Sequence, residues 1–176
     1  MSKIKLSVLT VTVSAVAMAL MAQAPRGKGP GILQPAMTVE KGTYKQPMGK
    51  LGEKPSDPWS ATTVGASVDG KPNAAKLATV NGEILDFSCY LQIGKHGEKH
   101  RSCAQKCFTA GQPIGLLAED GTLYMLMEEE HDPRRDSLTD FRKAAVDHAA
   151  HIMEVTGTLS SHGGYQALYV TGFLKK

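Results

Sequence analysis

From Ala75 onward the chain falls into a run of elements whose order allows few folds. "AKLATVNGEILDFSCYLQ" is rich in β-branched and apolar residues and reads as a strand with an irregularity at Gly82. "GEKHRSCAQKCFTAG" reads as a short helix, stopped by Gly111 and then Pro113. "PIGLLAEDGTLYMLME" holds two apolar runs around Glu119-Asp120-Gly121, the pattern of a hairpin. "DSLTDFRKAAVDHAA" reads as a second helix, with Ser137 as N-cap and Asp140 three residues on. The last stretch, "HIMEVTGTLSSHGGYQALYVTGFL", reads as a hairpin turning at Gly163-Gly164. The expectation is a mainly β domain with two short helices. Five strands with a helix between the third and fourth is the order of an OB-fold barrel. The extra helix, 98–110, falls between strands 1 and 2.

The residues before Ala75 have another texture. Residues 23–74 hold seven of the nine prolines, and their apolar residues keep neither a period of 2 nor one of 3.6. They read as a flexible Pro/Gly-rich segment, with Trp59 as the residue best suited to dock part of it on the domain. Residues 1–22 carry Lys3 and Lys5, an apolar run from Leu6 to Ala17, and then small residues. That is the pattern of a secretory signal peptide, and it predicts a periplasmic or secreted protein with no membrane span after cleavage. Without that leader the formal charge falls from +3 to +1. A near-neutral chain offers no electrostatic footprint for nucleic acid. An oxidising compartment permits disulfides.

All three cysteines lie within nineteen residues, with two histidines between them: Cys89, His96, His100, Cys103 and Cys107. On an α-helix residues advance about 100° each, so His100, Cys103 and Cys107 fall within roughly 60° of arc on one face. His96 joins that face if the helix begins one turn earlier. Cys89, at the end of the preceding strand, can fold back over it. Three thiolates and an imidazole make a tetrahedral set for Zn²⁺. Thiolates also suit Cu(I), and less well here an iron–sulfur cluster. The expected cofactor is therefore one metal ion, copper or zinc. Lys95, Lys99, Arg101 and Lys106 surround the cluster, and cations favour the thiolate form. A domain of about 100 residues buries a limited fraction of its surface, so a metal or disulfide staple would help it.

Two alternatives stay open. One is a disulfide between Cys89 and either Cys103 or Cys107, leaving a free thiol. Cys103 and Cys107 pair poorly with each other, because Cβ atoms at i and i+4 on a helix lie about 5–6 Å apart, against about 3.8 Å in a disulfide. The other is three inert buried thiols.

Other residues have plainer readings. His148 suits a helix C-terminus through the dipole, and His151 opens a strand. The run Glu128 to Asp132 reads as a solvated loop. Met125 and Met127 share a strand face and read as packing, and Met37 and Met48 are weak thioether candidates for Cu(I). Asp86 reads as a partner that orients a ligating histidine. No G-x-S-x-G, H-E-x-x-H or paired-carboxylate signature is present, which argues against the enzymes those motifs mark.

Residues 75–176 resemble small exported bacterial OB-fold-like proteins with a Cys/His cluster. The stretches "VNGEILDFSCYL", "HRSCAQKCFTAGQPIGLL" and "VTGTLSSHGGYQALYV" carry the likeness. The resemblance implies an exported β-barrel domain with a Cys/His patch, and no particular activity. Three functions follow from these readings. The first is a periplasmic protein that stores, delivers or is stabilised by a metal ion. The second is a thiol–disulfide redox protein, weakened by the absence of C-x-x-C. The third is a non-enzymatic module that contacts another envelope protein.

Overall fold

The computed structural model describes residues 41–129 and 138–172. The leader, residues 23–40, Ser137 and His131 lie outside the described residues. Six strands are numbered β1 (Lys50–Leu51), β2 (Ala75–Asp86), β3 (Ile114–Ala118), β4 (Leu123–Glu128), β5 (Ile152–His162) and β6 (Tyr165–Val170). Four α-helices lie among the described residues: α1 (Ala61–Ala66), α2 (Phe87–Ile93), α3 (Arg101–Thr109) and α4 (Asp140–Asp147).

The last five strands close a barrel in the order β5-β2-β3-β4-β6, with β6 returning to β5. The β4–β6 pair is parallel, and the other barrel pairs are antiparallel. This is an OB-fold-like barrel, with α4 between its third and fourth strands, as the element order predicts. Strand β2 serves two neighbours. Its first part pairs with β5, from Ala75 opposite Ser160 to Glu83 opposite Ile152. Its last part, Gly82 to Asp86, pairs with β3. Gly82 is needed at that handover, because a Cβ there would lie 2.6 Å from Leu116 Cγ. The β5–β6 turn uses Gly163 at φ 57° and Gly164 at φ 84°, the left-handed pair that a tight hairpin demands.

The interior is filled by Ile84, Leu116, Leu126, Met153, Val155 and Leu168, at 0–3% exposure. Helices α3 and α4 close over it through Ala104, Phe108, Phe141 and Ala145. Arg142 ties the two helices together. Its guanidinium donates to the carbonyls of Phe108 (3.2 Å), Gln112 (3.0 Å) and Gly111 (3.3 Å), which end α3. These are carbonyls that a helix terminus leaves without intrahelical donors.

Three local expectations need correction. The first strand does not run on to Gln92. It stops at Asp86, and residues 87–93 form α2, so the structure has more than two short helices. The cause is capping: Asp86 leaves the strand and its side chain accepts from Cys89 N–H in the first turn. The N-cap of α4 is Thr139, whose hydroxyl accepts from Arg142 N–H. Finally, residues 41–74 lie against the barrel. Met48 N–H donates to Ile152 O (2.8 Å) and Glu154 N–H to Gly49 O (2.9 Å). Strand β1 pairs in parallel with β5, and Leu51 is 3% exposed. Trp59 sets its ring against Tyr169 at 5.1 Å, and its Nε1–H donates to Asn73 O (2.7 Å). Residues 41–74 therefore form a strap rather than a loose linker, although their composition is that of one.

Candidate metal centre

Three residues bring metal-compatible atoms together: Asp86, Cys89 and Cys107. One carboxylate oxygen and the two Sγ atoms all lie within 4.8 Å of one another. The fold explains the convergence. The β2–β3 register sets Asp86 opposite Ile114 at the end of β2. Its capping bond, Oδ1 to Cys89 N–H at 2.9 Å, fixes the first turn of α2 and so the place of the Cys89 thiol. Cys107 reaches the same point from α3, whose inner face is held by Ala104 and Phe108.

Asp86 is fully buried, and its Oδ2 has no hydrogen-bond partner. Besides the Cys89 N–H, its polar neighbours are the Ser88 N–H and the Cys89 and Cys107 thiols. Burial raises its pKa, but hydrogen bonding from Cys107 and from the Cys89 backbone and thiol outweighs burial and holds it below the usual carboxylate range. The thiols move the other way. Cys107 is pushed up to about 12, first by its hydrogen bond to Asp86, then by burial and by the Asp86 charge, with the Cys103 thiol adding to the effect. Cys89 is also raised, first by burial and then by Asp86.

This reverses the expectation that the surrounding cations would favour thiolates. Of the four basic residues in that expectation, Lys95 alone acts on Cys89, and as the smallest cause. A carboxylate in contact outweighs ammonium groups on flexible stems in water. Without a cation, the site is a carboxylate shielded by two protonated thiols. With a cation of charge 2, it can become three anionic ligands around one ion.

The histidines go elsewhere. His96 Nδ1 sits 3.1 Å from Glu83 Oε2, and its ring meets Tyr90 edge-on at 5.8 Å. Gly97 N–H donates to the other Glu83 oxygen. His100 is 7% exposed, and its shielded Nε2 has no partner. Its ring does not join the thiols, because residues 98–100 form a 3-10 turn that breaks the helical phase assumed for i, i+3, i+7. Cys103 is exposed, one turn from Cys107 and at the rim of the group. All three thiols are free, and no disulfide links them.

Asp86 is thus a member of the group rather than a support for a histidine. Its signal was present in the sequence as an Asp three residues before Cys89, the spacing of an N-cap. The strand-like residues on either side masked it.

A scan of protein-family models and searches of curated proteins and of solved structures return no match to this chain. The functional reading therefore rests on the geometry.

The remaining sequence candidates also find places. His148 and His151 pair through Nδ1 atoms 3.3 Å apart. Burial lowers the pKa of both, so the helix dipole does not hold His148 charged. Glu129 is not a solvated loop residue. It is 8% exposed, and its Oε1 accepts from Ser60 N–H (2.6 Å) and the Thr63 hydroxyl (2.9 Å), fastening the strap. Met48 is exposed, and Met125 and Met127 pair with Ala167 and Tyr169 of β6. Glu130, His131, Asp132 and Met37 lie outside the described residues. Among the described residues no helix is long and apolar enough to cross a membrane.

Proposed function

We propose that the chain is an exported metal-binding protein whose ion is held by Asp86, Cys89 and Cys107, with the exposed Cys103 thiol one helical turn from Cys107 and outside the shell. The observation that carries this reading is the buried Asp86 carboxylate, with an oxygen that no hydrogen bond satisfies and two thiols beside it. The carboxylate is ionised and has no cationic partner among the described residues, so it offers a bound cation its counter-charge. Of copper and zinc, the donor set favours Zn²⁺, which accepts carboxylate oxygen with thiolate, whereas Cu(I) prefers sulfur alone. The exposed Cys103 leaves one side of the site open to ligand exchange, which suits delivery or storage better than a sealed structural centre.

The redox alternative is weaker for Cys107, one of its two candidate nucleophiles. A thiol pushed up to about 12 holds almost no thiolate at neutral pH, and thiolate is the attacking species.

The test is zinc affinity by competition with a chromophoric chelator, on the chain and on Asp86→Asn. Asparagine keeps an oxygen that can cap α2 but removes the charge. We expect stoichiometric zinc in the parent and at least about tenfold weaker binding in the variant, as for lost metal partners generally. Equal affinity in the two proteins would remove Asp86 from the site. The absence of stoichiometric zinc and copper in the parent would sink the metal reading altogether.

A further inference from the structure

The strap encloses a second feature, unrelated to the cysteines. A pocket of about 330 Å³ lies between strap residues and the barrel, walled by Trp59, Thr63, Asn73, Glu129, Ser160 and Tyr169. That volume is at the lower end of the roughly 300–1,000 Å³ found for small-molecule sites. The pocket walls come from both the strap and the barrel. The Trp59 and Tyr169 rings meet at an interplanar angle of 72°, forming an aromatic corner, and Trp59 is fixed by its bond to Asn73 O. Ser160 belongs to β5, and Tyr169 to the adjoining strand β6.

The charge of the pocket is one-sided. Glu129 supplies its carboxylate, and no Lys, Arg or His is among the described residues lining it. Among the described residues no basic side chain forms an ion pair with Glu129 either. Its two hydrogen bonds come from an uncharged N–H and a hydroxyl, both to Oε1. An 8% exposed carboxylate beside two aromatic rings attracts cations by its charge, and the aromatic walls add the apolar contact that an organic cation can use. A free metal ion would gain nothing from the aromatic walls, and an anion would be repelled.

We infer that this pocket binds a small organic quaternary ammonium compound, its cationic head against the Trp59–Tyr169 pair and the Glu129 carboxylate. Aromatic walls beside a carboxylate suit quaternary ammonium groups, which are weakly hydrated and so lose little on transfer into a partly apolar site. The ligand also braces the strap against the barrel, because its contacts come from both.

Trp59 is the chain's single tryptophan and sits in the wall, so its fluorescence reports binding directly. The probes are choline and tetramethylammonium, with 3,3-dimethylbutan-1-ol as the neutral isostere of choline and glucose as a neutral polyol. The expected result is a saturable change with choline below about 10 mM, and binding of the neutral alcohol at least about tenfold weaker. Glu129→Gln keeps an acceptor for Ser60 and Thr63 but removes the charge, so it should abolish the preference for choline. Ser67, on the strap, also lines the pocket; Ser67→Leu fills it from that side with Glu129 in place, and should abolish the response even if the Glu129 variant loosens the strap. No saturable change with either ammonium ion overturns the inference. So does an equal response to the neutral alcohol, saturation by glucose alone, or an undiminished choline response in Ser67→Leu.

Discussion

Metal binding at Asp86, Cys89 and Cys107 should be steeply pH-dependent, and the structure sets the slope. A thiol must lose its proton to become a ligand, so binding releases one proton per thiol. Cys107 is pushed up to about 12 by Asp86 and by burial, and Cys89 is raised by burial and Asp86. Both are therefore protonated in the metal-free protein between about pH 6 and 8. Asp86 is held below the usual carboxylate range and contributes no proton there. Two protons leave per ion bound, each worth a tenfold change per pH unit. Zinc affinity should rise about 100-fold for each unit of pH, becoming tighter as pH rises. Calorimetric titration in buffers of different ionisation enthalpy counts the protons, and chelator competition across the pH range gives the slope. Cys107→Ser should lower the count to one. A count of three would place Cys103 in the shell as a third thiolate. A count near zero, with an affinity flat in pH, would refute the reasoning, because the thiols would then not be ligands.

The remaining predictions concern the fold. Phe108 is 0% exposed where α3 meets the barrel, so Phe108→Ala should cost about 3–5 kcal/mol in denaturant unfolding; a loss under about 1 kcal/mol would mean that α3 is not anchored there. Arg142→Met removes three donated bonds to carbonyls at the end of α3. It should cost about 1.5–3 kcal/mol, whereas an unchanged midpoint would make the ties incidental. Burial lowers the pKa of His148 and His151 in the folded chain, so the unfolded chain takes up protons first. Their contribution is complete above the unfolded value of about 6.5 and is lost as pH falls through the lower folded values. His151→Gln should flatten that acid limb, and an identical pH–stability profile in the variant would remove the pair from the account.

Much of the barrel is legible in the residues. Strand periodicity, the Gly163-Gly164 turn and the helix before β5 are local signals, because they depend on neighbours within a few residues. The same locality explains the errors. "LDFSCYL" satisfies a strand by composition, yet the Asp near its start can cap a helix, and capping prevailed because β2 reaches its last partner, Ile114, at Asp86. His100 lies on the cysteine face only if the helix is regular back to that residue, and the 3-10 turn over Glu98–His100 changes the phase.

The sequence alone determined the order of the five barrel strands and the two helices that close the barrel, the OB-like connectivity and the clustering of three cysteines within nineteen residues. The tertiary structure decided which groups meet those cysteines. Asp86 reaches them through the β2–β3 register, and the histidines are taken by Glu83 or turned away. Only the tertiary structure, too, turned residues 41–74 from a linker composition into a strap, since their partners on β5 and β6 lie about a hundred residues further along. Local chemistry fixes what each segment can become. Which side chains then share a low-dielectric site depends on long-range pairing, which no short window of residues encodes.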